Sequence, residues 1–344
     1  MARCCVLSSA PTSPAVRRVA PHGTPLTQGG RSHAPTHGGT SASNEAACDR
    51  RKQRGTALLL VLWVVALLGI LLGSFVVLAR SEQLQTRYLF DTTRARYAAE
   101  AGLSRAVYEL RRADPLTRWV PDGRPYDIDF DDAKIQVSIT DESGKVDLNM
   151  ADELLLLALF QRAGADEDRA THLVDAVVDW RDPDDLVRPF GAEDKDYEAA
   201  GLAYGAADHG FALAGELQQV LGMDYELYRK LAPMVTVYAR TARPNPAYAS
   251  PEVLSLLPGV SPDIAQQVVE QRRQLTPDLL AASPLMLPDG TPLTMAGGGL
   301  TYTVQSRATL PNGAWTVLDT TIRIGGTPGG RAYSILRWRE GSAD

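Results

Sequence analysis

The chain has 344 residues, of which 44% are hydrophobic and 22% are charged. This length and composition predict about two globular domains and exclude both a single small core and a wholly disordered chain. Residues 1–55 carry eight basic and two acidic residues, so the remainder, with 27 basic and 39 acidic residues, has a net charge of −12. Because nucleic-acid binding depends on neutralising phosphates, we expect no nucleic-acid partner for this acidic body.

The first 55 residues are predicted to be a leader that is either cleaved or the product of a start codon assigned too far upstream. Residues 1–49 are rich in Pro, Ser, Thr, Gly and Ala and show no apolar periodicity. Such a stretch cannot bury enough surface to offset the entropy lost on ordering. All three cysteines, Cys4, Cys5 and Cys48, lie in this part. The rest of the chain therefore has neither a disulfide nor thiol chemistry.

Residues 56–79 are predicted to form a transmembrane helix. These 24 residues include no charged side chain, and a helix of that length is about 36 Å long, which is enough for a hydrocarbon core of about 30 Å. A basic cluster precedes them, consisting of Arg50, Arg51, Lys52 and Arg54. Since basic residues stay on the cytoplasmic side, we expect a single-pass protein of the bacterial inner membrane with a cytoplasmic N-terminus and a periplasmic body.

The junction before this apolar run is unlike a secretory signal. A signal peptide is cut after its apolar stretch, whereas here Gly55 lies between the basic cluster and the apolar residues. The arrangement resembles the site of the prepilin peptidase, which cuts after Gly and methylates the new N-terminus. The resemblance makes Gly55 and Thr56 the processing site and Thr56 the first residue of the mature chain. The alternative is an ordinary signal anchor that is not cleaved.

Residues 80–113 are predicted to continue the helix as an amphipathic extension, because mostly apolar residues recur at three- and four-residue spacing. Asp114-Pro115 ends it, since a residue before Pro disfavours helical geometry. Strand patterns follow at 128–141, 302–309, 315–324 and 332–339, and Asn312-Gly313 predicts a hairpin turn. The predicted fold is α+β, with the long helix packed on an antiparallel sheet whose head comprises residues 114–145 and 281–344.

Short helices are predicted between residues 146 and 280, at 154–160, 170–180, 214–221, 225–231, 251–257 and 262–274. Because the strands before and after this block belong to one sheet, we interpret it as an all-helical domain inserted into the head. Its segment 257–262 (LPGVSP) looks like a helix-hairpin-helix, or SAM-like, turn. Such a turn either presents N–H groups to a phosphate or serves only packing, and its acidic flanks favour packing.

A set of segments in fixed order resembles the K-type minor pseudopilins of the type II secretion system. The segments are 141–149 (DESGKVDLN), 178–185 (VDWRDPDD), 191–197 (GAEDKDY), 216–223 (ELQQVLGM), 228–238 (YRKLAPMVTVY) and 257–259 (LPG). The resemblance covers nearly all of residues 55–340 and implies a pseudopilin fold. It further implies a non-enzymatic subunit at the tip of the pseudopilus, which initiates or caps the fibre and supports export across the outer membrane.

The resemblance also implies a set of partners. These are the I- and J-type minor pseudopilins, the prepilin peptidase, the inner-membrane secretion platform, and secreted substrates or the outer-membrane secretin. Most pilins and pseudopilins carry Glu at mature position five, where it pairs with the N-terminal amine of a neighbouring subunit, since a carboxylate in lipid needs a cationic partner. Counted from Thr56, position five is Leu60. A subunit lacking this Glu cannot neutralise the amine of a further subunit, which favours the tip.

The segment 182–198 is predicted to be an acidic loop that binds calcium. It has seven acidic and two basic residues, and calcium takes six to eight oxygen ligands. The candidate ligands are Asp182, Asp184, Asp185, Glu193, Asp194 and Asp196. The spacing is not that of an EF-hand, and on the residues alone a solvated acidic loop is the alternative. The resemblance to K-type pseudopilins implies calcium.

Two other functions remain open at this point, a minor pilin of a type IV pilus and a membrane-anchored DNA-uptake receptor that uses the helix-hairpin-helix. We expect no enzymatic activity, because no Gly-x-Ser-x-Gly, His-Glu-x-x-His or phosphate-loop motif occurs in the sequence. His172 and His209, which follow the membrane segment, have no metal-ligating neighbour at helical spacing.

Overall fold

The computed structural model describes residues 53–114, 117–275, 284–293, 298–325 and 330–341, and for residues 53–56 it describes the backbone alone. The predicted leader thus lies almost entirely outside the described residues. The chain separates into two units, residues 1–73 and residues 74–344. A 58-residue helix, α1 (Gln53–Leu110), contributes to both.

In the first unit, the described residues form the beginning of α1, and its large apolar side chains are exposed. Helix α1 is long and apolar enough to cross a membrane, and its most apolar 18-residue stretch has a mean hydropathy of 2.8 with no part of it buried. A helix satisfies its own backbone hydrogen bonds, so an apolar surface of this kind is stable in hydrocarbon. This finding agrees with the predicted membrane span.

The second unit contains an antiparallel sheet built from β1 (Asp122–Phe130), β2 (Ala133–Asp141), β5 (Thr301–Thr309), β6 (Trp315–Ile324) and β7 (Tyr333–Gly341). Its strand order is β1-β2-β5-β6-β7. A short parallel pair is formed by β3 (Val146–Asp147) and β4 (Val235–Thr236). Strands β2 and β5 pair along their whole length, from Lys134 opposite Thr309 to Asp141 opposite Tyr302. Two neighbouring strands are thus separated in sequence by residues 142–300.

The C-terminal turns of α1 pack against one face of this sheet. The buried residues of the helix are small or aliphatic and follow its period: Ala95, Ala98, Ala99, Leu103, Ala106, Val107 and Leu110. Gly102 lies so close to β5 that a Cβ would stand 2.2 Å from Ser306 Oγ. Leu84 and Tyr88 share the predicted apolar stripe but are exposed. The α+β fold predicted from the sequence is confirmed.

Between β2 and β5 the chain forms six α-helices among the described residues: α2 (Glu153–Ala163), α3 (Glu167–Arg181), α4 (Asp194–Ala199), α5 (Tyr225–Leu231), α6 (Pro251–Leu254) and α7 (Pro262–Gln274). They enclose a core of their own, which includes Leu156, Phe160, Leu173, Trp180, Leu217 and Leu254. Five begin at a side chain that accepts a hydrogen bond from the first turn, namely Asp152, Asp166, Asp224, Ser250 and Ser261. These caps fix where the helices start.

Strand β1 was not predicted. The sequence analysis expected one strand at 128–141, whereas the structure has a hairpin of β1 and β2 that turns at Asp131, whose φ is 55°. Gly123, Pro125 and several Asp residues lower the intrinsic strand propensity of β1. Pairing with β2 overrides that propensity, because the alternating Tyr126 and Ile128 side chains gain buried contacts.

Helix α4 contradicts the expectation of an open acidic loop at 182–198. A capping box starts this helix, in which the Asp196 side chain accepts a hydrogen bond from the Glu193 backbone N–H. Other differences concern helix ends. The segment predicted as a helix at 214–221 is a 3-10 helix, Ala214–Gln219, α6 ends at Leu254 rather than at residue 257, and α1 ends at Leu110 rather than at residue 113.

Candidate functional site

Buried carboxylates hold together the point at which the helical block leaves and rejoins the sheet. Asp141, at the end of β2, accepts hydrogen bonds from the backbone N–H groups of Ser143 and Gly299, at 2.8 and 2.9 Å. Burial raises the pKa of the Asp141 carboxyl. Glu142 follows it and accepts from Lys145 Nζ at 2.7 Å and from Thr303 Oγ1 at 2.7 Å. The segment 141–149 thus serves as the joint between sheet and helices.

A second buried contact joins α7 to β1. The Arg272 side chain is 2% exposed, and its Nε lies 3.5 Å from Asp122 Oδ2. Its Nη1 donates to the carbonyl oxygens of Pro246 and Ala249. Burial raises the pKa of Asp122, but the Arg124 guanidinium at 2.8 Å and the charge of Arg272 outweigh burial, so that the pKa is lowered overall. Arg272 is therefore not available to a phosphate at the helix-hairpin-helix turn.

The candidate cation site lies between the end of α3 and the start of α4. Asp179 in α3 is fully buried, Asp182 caps the C-terminus of α3, and Glu193 caps the N-terminus of α4. Within the described part of the chain, Asp179 Oδ1, Asp182 Oδ1 and Glu193 Oε1 are buried and have no hydrogen-bond partner. Unpaired buried carboxylate oxygens cost free energy. A positively charged ligand would offset that cost.

The three carboxyl groups also repel one another and their acidic neighbours. Burial, and after it the charges of Asp179, Asp208, Asp182 and Asp185, raise the pKa of Glu193 to about 7. Burial raises the pKa of Asp179, with a further contribution from the charge of Asp182. The pKa of Asp182 is raised by burial and then by Asp184 and Asp208. The site is therefore a concentration of negative charge without an internal counter-charge on these oxygens.

Arg188 folds the intervening loop back onto the helices. Its Nε lies 3.0 Å from Asp175 Oδ1, and its Nη2 lies 2.6 Å from Glu153 Oε1. Its backbone N–H donates to Asp179 Oδ2 at 3.1 Å. Only Gly fits at position 191, because a Cβ there would stand 1.8 Å from the same Asp179 oxygen. The loop is thus closed tightly around one oxygen of Asp179 and leaves the other unpaired.

The structure treats the six predicted ligands differently. Asp182 and Glu193 belong to the carboxylate cluster, and Asp185 contributes its charge to it. Asp184 Oδ1 accepts from the Leu186 N–H at 3.0 Å and so stabilises a turn. Asp194 and Asp196 lie in α4, where Asp196 caps the helix.

Two further acidic residues, Asp179 and Asp208, act on the cluster and were absent from the sequence prediction. A usable signal was present for Asp179, which is an acidic residue on the buried face of a helix beside Val177 and Trp180. For Asp208, which has a φ of 53° in a loop, sequence distance concealed the proximity. We find no signal in the sequence that would have identified it.

The donor set suits calcium better than the present arrangement does. Carboxylate oxygens are the hard ligands that calcium prefers, and three of them are buried without partners. However, no three Asp, Glu, His or Cys side chains in the described ranges are grouped so that they could hold a metal ion as they stand. We give more weight to the unpaired oxygens, because carboxylates that lack a cation repel one another and separate.

The predicted processing site lies at the start of α1. The backbone of Gly55 and Thr56 is helical, and their side chains are outside the described residues. Leu60, at mature position five, is 65% exposed on the helix. Neither finding tests cleavage, so the processing site stays a prediction.

Comparison with known proteins identifies relatives of one kind. A family model described as type II secretion system (T2SS), protein K, matches residues 137–240, from within β2 to beyond β4. The type II secretion system protein K of Pseudomonas aeruginosa is 30% identical over 252 residues, which cover 65% of this chain and 73% of that protein. The protein of the same name from Klebsiella pneumoniae is 28% identical over 247 residues, covering 65% and 74% respectively.

A solved structure was also found, the GspK-GspI-GspJ complex of the type 2 secretion system from enterotoxigenic Escherichia coli. The matching chain is 22% identical, and the match covers 77% of this chain and 99% of that one with a TM-score of 0.49.

Proposed function

Because this chain belongs to the family of the type II secretion system protein K, the K-type minor pseudopilins, we propose that it lies at the tip of the pseudopilus. There it initiates or caps the fibre and supports protein export across the outer membrane, as a structural subunit rather than an enzyme. The observation that carries the tip position is the uncharged apolar part of α1, with Leu60 where other pseudopilins have Glu.

The argument from Leu60 is electrostatic. In a fibre of pilin-type helices, each N-terminal amine is a positive charge in an apolar environment and needs a carboxylate from a neighbour. A helix without a carboxylate near its start can offer its own amine to the subunit below but cannot accept the amine of a subunit above. The addition of subunits therefore ends at this chain.

The membrane topology follows the same reasoning. The basic cluster before α1 keeps the N-terminus in the cytoplasm, and the acidic body of the chain lies in the periplasm. The prepilin peptidase would act at Gly55 and Thr56, and the mature helix would remain in the inner membrane beside the secretion platform until assembly. The apolar exposed surface of α1 supports this arrangement.

The partners would be the I- and J-type minor pseudopilins. The solved complex to which the chain is similar contains, by its name, GspI and GspJ together with GspK. For this chain the assignment rests on family membership. The helical block between β2 and β5 is bulky enough to prevent a further subunit from stacking on the head, and it would face the secretin or the secreted substrates.

Calcium would be held by the carboxylate cluster. Asp179, Asp182 and Glu193 have the unpaired buried oxygens, and Asp185 and Asp208 supply further negative charge. When bound, the ion would neutralise these charges and fix the end of α3 to the start of α4. Its role would be structural, because it would order the loop closed by Arg188.

The experiment compares pseudopili in a deletion strain complemented with this chain or with its Leu60→Glu variant. We expect the unmodified chain to restore secretion and normal fibre length. Leu60→Glu should give longer fibres, because the new carboxylate accepts a further subunit, whereas Leu60→Gln, which has no charge, should behave like the unmodified chain. Fibres of equal length with and without the chain would contradict the tip position.

The N-terminal mass of the chain purified from membranes tests the pseudopilin class separately. With the prepilin peptidase present, we expect a methylated chain that begins at Thr56, and without the peptidase we expect an uncut chain. A chain that stays uncut in both strains would leave an ordinary membrane anchor.

A further inference from the structure

Strand β7 forms one edge of the five-stranded sheet. It pairs with β6 on its inner side, from Ile324 opposite Tyr333 to Val317 opposite Gly341, and no described strand pairs with its outer side. The strand is nine residues long. An edge of that length presents a row of backbone N–H and C=O groups on which another strand can form.

The opposite edge, β1, is protected against such pairing. Pro125 has no N–H to donate, and the register of the β1–β2 ladder shifts between Asp122 and Pro125. Exposed Asp127 and Asp129 add charge along the same strand. Devices of this kind prevent edge-to-edge association. The sheet therefore has one edge that discourages partners and one that has to be explained.

The β7 edge is apolar where β1 is charged. Ile335 is 49% exposed, Leu336 40% and Trp338 38%. A shift in the β6–β7 register lies at Leu336, which is the extra residue between Ile335 and Arg337. This bulge bends the strand but leaves the apolar side chains in solvent. A long apolar edge of this type marks an interaction surface.

The two faces of β7 have different chemistry. Trp338 lies opposite Thr320, and Ile335 opposite the core residue Ile322, so both are on the face that α1 covers. Glu340 belongs to the same face, since its carboxylate lies 3.0 Å from Arg96 of α1. A strand added at this edge would therefore bring apolar side chains against Ile335 and Trp338.

The other face of β7 is basic. Arg337 and Arg339 both pair with Asp319, at 2.8 and 2.9 Å. One carboxylate thus serves two guanidinium groups, which leaves a net positive charge on this face. The side chains of Arg337 and Arg339 are 42% and 69% exposed, so each can accept a second acidic partner. A neighbouring strand would place acidic residues here.

We propose that β7 is a docking edge for an extended strand of another protein chain, which continues the sheet and alternates apolar with acidic side chains. Such a strand would satisfy the outer backbone groups of β7, cover Ile335 and Trp338, and neutralise Arg337 and Arg339. The required pattern occurs in β1 of this chain, where Tyr126, Ile128 and Phe130 alternate with Asp127 and Asp129. A second head of related design therefore carries a suitable strand. The proposal rests on the sheet alone and does not depend on the position of the chain in a fibre.

The probe is a fluorescent synthetic peptide of residues 124–132 (RPYDIDFDD), added to the full chain in detergent micelles. We expect binding to be accompanied by slower hydrogen exchange of the backbone amides of residues 333–341. Ile335→Lys should weaken binding about tenfold, because it places a charge in the apolar stripe. A peptide with Lys in place of Asp127 and Asp129 should bind roughly fivefold more weakly.

The matched control is Leu186→Lys, which replaces an aliphatic side chain that is 76% exposed after α3. It should bind the peptide as the unmodified chain does. Absence of binding, unchanged exchange in β7, or equal losses in the two Lys variants would overturn the proposal. Self-association of the chain that Ile335→Lys abolishes would also overturn the choice of occupant, because a second copy would then fill the edge.

Discussion

Removal of the Asp122 carboxylate should loosen the helical block from the sheet. Asp122 is the acidic partner of Arg272, and the two side chains are 0% and 2% exposed. Arg124 also contacts Asp122, but its own side chain is 20% exposed and can be solvated. In an Asp122→Ala variant, Arg124 can turn to water while the charge of Arg272 stays buried. The cost therefore arises mainly at Arg272.

The magnitude follows from burial. Removing one partner of a buried ion pair costs about 3–5 kcal/mol, because the remaining charge is left uncompensated. Asp319→Ala provides the matched control, since Asp319 also pairs with two Arg side chains, but at positions where both are well exposed. Exposed pairs contribute about 0–1 kcal/mol. The two variants should thus differ by roughly 3 kcal/mol although each removes one carboxylate with two Arg partners.

Urea unfolding of the full chain in detergent, followed by Trp fluorescence, measures this difference. With a slope of about 2–3 kcal/mol per M, Asp122→Ala should lower the midpoint by roughly 1–2 M. The double variant Asp122→Ala/Arg272→Met should recover part of the loss, because an apolar side chain then replaces the unpaired charge. A midpoint for Asp122→Ala equal to that of Asp319→Ala would refute the reasoning. So would losses that simply add in the double variant.

Three further predictions concern other parts of the second unit. Calcium at about 100 times its dissociation constant should raise the free energy of unfolding by about 2.7 kcal/mol in differential scanning calorimetry, and Asp179→Asn should remove most of that gain; a melting temperature that chelator leaves unchanged would count against the ion. In chelator, the folded state holds a proton on Glu193 up to a pKa of about 7, whereas the unfolded state loses it near pH ~4.3. Stability should therefore fall as pH rises between these values, and a Glu193→Gln variant with the same slope would contradict this assignment. Gly102→Ala should destabilise the chain by about 1–3 kcal/mol, since its Cβ would stand 2.2 Å from Ser306 Oγ; Gly341→Ala, with open space around it, is the control, and equal thermal stabilities would argue against close packing of α1.

Patterns with strong periodicity could be predicted from the sequence. The run 315–324 alternates and ends at turn residues, and it is β6 in the structure with the same bounds. Residues 262–274 follow a Ser-Pro start signal and form α7 with the predicted bounds. In both cases local preference and burial agree, so a short window contains the information that decides the structure.

Elements whose local preference opposes their environment could not be predicted. Strand β1 contains Gly123 and Pro125 and is held by its pairing with β2. Helix α4 contains three acidic residues in six, and it forms because Glu193 and Asp196 cap its start. In these segments contacts distant in sequence, or a cap in an otherwise acidic run, outweigh the average preference of the residues.

The sequence by itself determined the apolar span of 24 residues, the basic cluster before it, the uncharged residue at Leu60 and the ordered segments that identify the family. These properties depend on composition and order along the chain, so they exist before folding. Only the tertiary structure decided which carboxylates share one environment. Asp179 and Glu193 lie at the facing ends of two helices, Asp208 acts on them from a later loop, and Arg272 meets Asp122 across 150 residues of sequence. Electrostatic interaction depends on distance in space and on burial, and neither is encoded by separation along the chain.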